Sequence, residues 1–101
     1  CCGSYQAVSS PEHAETCAWN ILSSAARRGA EVLAVSCPLC EYNLAVRQQE
    51  LLQKHAGFKE IPVVYFTQLL ARALGCGPES CRFDLGYMDS RPFLKSKGLL
   101  P

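Results

Sequence analysis

The chain has almost no net charge. Ten Lys and Arg against nine Asp and Glu leave +1 at pH 7. That gives no electrostatic footprint for nucleic acid or for an anionic membrane surface, so neither is expected as a partner. It lacks any apolar run of about 18 residues, so no membrane-spanning helix is predicted. Internal repeats, low-complexity tracts and linkers are also absent. Charged residues make up only 19% against 49% apolar, a balance that argues against disorder and for a globular core. A length of 101 residues suffices for one small domain and not for two. No signal-peptide pattern is present, and the first residue is Cys rather than Met, so the natural start is expected to lie upstream.

Cysteine is what the chain has in excess. There are seven: Cys1, Cys2, Cys17, Cys37, Cys40, Cys76 and Cys81. An odd count, an adjacent pair and a CxxC do not suit a secreted disulfide scaffold. They point to a reducing, cytoplasmic setting with metal or redox thiols.

Local patterning predicts an α/β domain. Ser10 is placed to cap a helix over residues 10–28, with Pro11 at its first position and Glu12 and Glu15 near its positive end. Ala14, Cys17, Ala18, Ile21, Leu22 and Ala25 form one apolar stripe at helical spacing. Glu31–Ser36 reads as a short strand buried on both faces, and Cys37–Cys40 as a turn. A helix over Glu41–His55, a second strand over Ile61–Tyr65 and a helix over Thr67–Leu74 follow. Residues 76–101, rich in Gly, Pro and Ser, read as an irregular tail. The alternation implies right-handed crossovers and a small parallel sheet with flanking helices. Two strands make too small a sheet to stand alone, so the fold is expected to be incomplete at its N-terminus.

In such a sheet the loops after each strand emerge at one carboxyl edge, where ligands bind. Cys1 and Cys2, placed after an upstream strand, and Cys37 and Cys40, after strand 31–36, would meet there. Gly3 suits a close backbone approach. Cys40 at a helix N-terminus would favour its thiolate. Four such thiols are candidate ligands for a soft metal centre, either redox-active or a structural zinc. A metal-free thiol–disulfide oxidoreductase working through Cys37 and Cys40 is a further reading, and free thiols are the bland one. Cys17 is read as a small core residue, and Cys76 and Cys81 as incidental thiols. His13 and His55 are read as solvent-facing. Arg27 and Arg28, and the group Arg47, Glu50 and Lys54, are read as solvated helix surface, while Trp19, Tyr65 and Phe66 are read as core or subunit contacts.

Cys1-Cys2-Gly3, Cys37-Pro38-Leu39-Cys40, the following Glu41-Tyr42-Asn43-Leu44, the segment Pro62–Leu70 and Asp89–Leu94 together resemble the cysteine-rich CCG domain of the heterodisulfide reductases and their relatives. The likeness spans nearly the whole chain and is specific to the second, C-terminal repeat; the family's lone upstream Cys has no counterpart here. The resemblance implies the C-terminal part of a single CCG domain over residues 1–101. It implies Cys1, Cys2, Cys37 and Cys40 as ligands of a noncubane 4Fe-4S cluster that reduces a small-molecule disulfide. The implied partners are iron–sulfur and flavin electron-transfer subunits of a reductase complex, through which the chain would reach the membrane. The 101-residue chain by itself is expected to be inactive.

Overall fold

Pro11 fixes the first turn of α1, and the stripe foreseen along it sets which side faces inward. In a computed structural model describing residues 1–101, α1 runs Pro11–Arg27, with Ala14, Ala18 and Leu22 fully buried. Ser10 occupies the N-cap position, but its hydroxyl makes no capping bond. Strand β1 (Leu33–Val35) follows, then α2 (Pro38–Lys54), β2 (Val63–Tyr65), α3 (Phe66–Ala73) and, after two single 3-10 turns, α4 (Arg91–Ser96).

The two strands pair in parallel, with Leu33 opposite Val63, Ala34 opposite Val64 and Val35 opposite Tyr65. Helix α2 makes the crossover between them, and α1 packs on α2. The α/β class with a small parallel sheet and flanking helices therefore stands. The main core gathers Ala18, Leu22, Leu44, Ala45, Leu51, Val63 and Met88, with Leu33, Val35 and Trp19 packed against it. Gln48, also fully buried, donates to the Ile61 carbonyl at 3.0 Å and accepts the Ile61 amide at 2.6 Å. It thereby satisfies the backbone where the chain enters β2.

Three expectations need correction. First, β1 is not buried on both faces. Leu33 and Val35 face the core, but Ala34, which points the other way, is exposed. Second, Cys37–Cys40 is not a free turn. Pro38 at N1 starts α2 with Cys37 as its N-cap, and the amides of Cys40 and Glu41 both bond to the Cys37 carbonyl at 3.0 Å. Third, the tail is more ordered than its composition suggests. Cys81, Phe83, Leu94 and Leu100 form a second buried cluster that packs against Leu69 and Ala71 of α3.

Candidate functional site: a thiol row at the sheet edge

The start of α2 decides where the thiols go. Because Cys37 is the N-cap, Cys40 falls on the first helical turn, directly over the carboxyl end of β1. The residues before the Ser4–Gln6 3-10 turn come down on the same place. Cys2 is buried there, its Sγ 4.0 Å from the Leu39 carbonyl oxygen. Asn43, one turn further along α2 and fully buried, donates to the Cys2 carbonyl at 2.9 Å. That bond fastens the N-terminal turn to α2. The other side-chain oxygen of the same residue, Asn43 Oδ1, is buried without a partner.

Cys2, Cys37 and Cys40 thus lie near one another at this end of α2, and Cys40 is influenced by both of the others. Burial pushes the Cys40 thiol up to about 11, and its hydrogen bonds with Cys2 and Cys37 add to this. The amides of Cys40 and Leu39, at the start of the helix, hold Cys37 below the ordinary thiol value. Burial acts to raise Cys2, but the Ser4 hydroxyl and amide, with Cys40 and Asn43, outweigh it and leave the thiol lowered. One sulfur held as a thiol and two lowered below the ordinary thiol value form a chemically uneven set. Cys1 stands apart: it is exposed, and its sulfur accepts the Gly3 amide at 3.4 Å. No three Cys, His, Asp or Glu side chains close on a single point as metal ligands do.

Gly3 is buried in left-handed backbone, with φ +81°. A Cβ there would lie 2.9 Å from both Cβ and Sγ of Cys17. Cys17 is accordingly not plain core filling: it forms the floor beneath the Cys1–Gly3 turn. Its Sγ is also 3.6 Å from Nε2 of His13, one helical turn back and exposed, as expected. Cys76 is exposed, and the buried Cys81 sits on the Gln68 and Gly77 carbonyls, away from the row.

Other surface assignments change too. His55 is not turned to solvent: its ring stacks on Trp19, with centroids 3.6 Å apart and planes within 6°. Lys54 leaves its own helix face to pair with Glu15 of α1 at 2.6 Å. Arg47 is largely covered, and its Nε is buried without a partner.

Two further polar residues escaped the sequence reading. Glu41 is only 4% exposed, and Gln48 is wholly buried. Both lie on the α2 stripe of Leu44, Ala45 and Leu51, and that helical spacing was the available signal. Glu41 Oε1 accepts the Tyr87 amide at 3.2 Å, which ties the tail to the first turn of α2. Beside it, burial raises the Tyr65 phenol, with Glu41 and Cys37 adding repulsion.

The chain is 34% identical over 91 residues to the 8-methylmenaquinol:fumarate reductase membrane anchor subunit of Wolinella succinogenes. The aligned stretch is 89% of this chain, which spans about a third (32%) of that relative's length. No protein-family profile matches the chain. No solved structure matches it. The similarity corrects the functional expectation. The relative is a fumarate reductase membrane anchor subunit, not a heterodisulfide reductase subunit, and the thiols are not gathered as an iron–sulfur ligand set. The assignment to an iron–sulfur disulfide reductase is therefore withdrawn. No helix is long and apolar enough to cross a membrane.

Proposed function

We propose that this chain is a CCG-type cysteine domain within a subunit that attaches an oxidoreductase complex to a membrane. We further propose that Cys2, Cys37 and Cys40 form a thiol set at the sheet edge that would close on a soft metal by turning from the positions they hold here, where they do not share one point. One observation carries the reading: three thiols from two separate segments converge where β1 ends and α2 begins, in a chain similar to a reductase anchor subunit. The donors suit a soft metal, since thiolates are soft ligands and two of the three thiols lie below their ordinary value. A metal bound there would tie the N-terminal turn to α2, as a covalent crosslink does. The relative's quinol and fumarate are not carried over; its membrane and reductase setting is.

The protein also has surface for a partner subunit. Helix α3 has no buried residue, and Phe66, Leu70 and Leu74 form an exposed apolar row along it. Contiguous apolar rows of this kind are characteristic of faces covered in an assembly.

The test is metal and acid-labile sulfide analysis after oxygen-free purification, on the wild type and on Cys37→Ser and Cys40→Ser. Iron or zinc that co-purifies with the wild type and is lost in both variants is the expected result. Wild-type protein that takes up neither metal, even when each is offered in excess under reducing conditions, would overturn the metal assignment.

A further inference from the structure

A cleft of about 470 Å³ opens on the β2 side of the domain, within the range of small-ligand pockets. One carboxylate stands on its wall. Glu41 is only 4% exposed, yet it belongs to none of the chain's ion pairs. Carboxylates buried this deeply are normally paired with a cation. Oε1 accepts the Tyr87 amide; Oε2 has no protein partner and is not sealed from solvent as Asn43 Oδ1 is. Ser90, 3% exposed on the same wall, also has a hydroxyl without a protein partner. The remaining polar groups are engaged or lie at the rim. Gln68 uses both ends of its amide, donating to the Cys81 carbonyl at 2.8 Å and accepting the Tyr65 amide at 2.9 Å. Arg82 pairs through two nitrogens with Asp84, at 3.0 and 2.9 Å, which offsets its charge. Thr67 is exposed. Glu41 is therefore the one uncompensated charge of the cleft. Three aromatic residues, Tyr65, Phe83 and Tyr87, share the wall with it. Aromatic rings attract cations through their quadrupole, more strongly where water is excluded.

We propose that this cleft binds a primary alkylammonium group, with Glu41 Oε2 and the Ser90 hydroxyl accepting its N–H bonds and the aromatic wall taking its alkyl stem. An ammonium brings three donors and one positive charge, which match two free acceptors and an unpaired carboxylate. A neutral donor would leave that charge uncompensated, and an anion would be repelled by it. A free amine and a lysine side chain both present this chemistry. Neither the thiols nor the similarity to the anchor subunit enters the assignment, so it stands or falls apart from the metal analysis.

The experiment titrates n-hexylammonium and its neutral counterpart, n-hexanol, into isotope-labelled protein in amine-free buffer near neutral pH, while amide shifts are followed by NMR. The expected result is saturable shifts at Val63, Tyr87, Met88 and Ser90, with the ammonium binding about tenfold more tightly than the alcohol. In Glu41→Gln that preference should collapse, while Glu60→Gln, at an exposed residue away from the cleft, should keep it. If Glu41→Gln does not fold, the comparison of the two probes on the wild type decides alone. Equal binding of both probes, or shifts that avoid the cleft, would refute the site. n-Hexyltrimethylammonium keeps the charge and the stem but has no N–H. It should bind several-fold more weakly than n-hexylammonium, and equal or tighter binding would overturn the assignment to a primary ammonium. Nα-acetyl-lysine methylamide carries the same ammonium on a peptide unit. Binding tighter than that of n-hexylammonium assigns the source to a lysine of a partner protein, and weaker binding assigns it to a free amine; either result supports the site.

Discussion

The backbone of Gly3 lies so close to Cys17 that a methyl group on Gly3 would come within 2.9 Å of Cys17 Cβ and Sγ. Two constraints meet at this residue, since φ is also +81°. The left-handed backbone alone costs an alanine about 1 kcal/mol. Displacing the half-buried Cys17 adds about 1–3 kcal/mol. Gly3→Ala should therefore lower stability by about 2–4 kcal/mol, read from the urea midpoint. Cys17→Ala removes the sulfur but not the Cβ, so the double variant should lose less than the two single changes summed. An unchanged midpoint in Gly3→Ala would show that the turn does not rest on Cys17.

Gln48 serves the core in a different way. Its side chain replaces, for the Ile61 backbone, the ladder bonds that β2 has not yet begun to make. Gln48→Leu preserves approximate volume but leaves a buried N–H and C=O unsatisfied. At about 1–3 kcal/mol for each group, the loss should be about 2–6 kcal/mol. Thermal unfolding should register it as a large drop in Tm. Gln48→Glu should be no milder, because it keeps an acceptor for the amide but faces the carbonyl with a charge. A leucine variant as stable as the wild type would mean that water enters to replace the amide.

Much of this was legible in the chain itself. The α1 stripe and the alternation of helices with two parallel strands follow from periodicity and the parallel crossover; of the four thiols expected at one edge, Cys1 stands apart and exposed. Positions that looked alike locally were read less well. Pro38 after Cys37 suits a turn and an N1 position equally, and only the helix beyond it decides. Glu41 and Gln48 occupy stripe positions, but a polar side chain reads as solvent-facing until its buried partners are known. Ala34 reads as buried because it is apolar, yet its face of β1 is uncovered. His55 reads as solvent-facing from its own helix, while its partner, Trp19, comes from another helix. Tertiary pairing of this kind leaves no local mark.

Asn43 links the core to the site. Its amide holds the Cys2 carbonyl at 2.9 Å from a fully buried position. Asn43→Ala should cost about 1–3 kcal/mol, because the carbonyl is left buried without a donor. The sharper readout is local. Freed from α2, the Cys1–Gly3 turn should open, and Cys2 should react with iodoacetamide several-fold faster in the folded, metal-free variant. Mass spectrometry of the labelled N-terminal peptide measures this directly. Destabilisation with no change at Cys2 would make Asn43 a packing residue only.

The two thiols of the CPLC segment should differ in reactivity, and the sign follows from their surroundings. Helix-start amides lower Cys37 below the ordinary thiol value of 9.0, while burial chiefly lifts Cys40 to about 11. As pH rises, Cys37 therefore becomes thiolate first. At pH 8 Cys37 therefore carries the larger thiolate fraction. The lower-pKa thiolate is also the weaker nucleophile, but with a Brønsted slope of about 0.4–0.5 this offsets only part of that gain. The net expectation is that Cys37 alkylates faster than Cys40 in reduced, metal-free protein at neutral pH. The preference should narrow and then reverse as rising pH ionises Cys40 as well. Rates followed peptide by peptide across pH 6–10 test this. Equal rates at neutral pH would mean that the first turn of α2 does not present its amides to Cys37, and the helix would then have to start after Cys40.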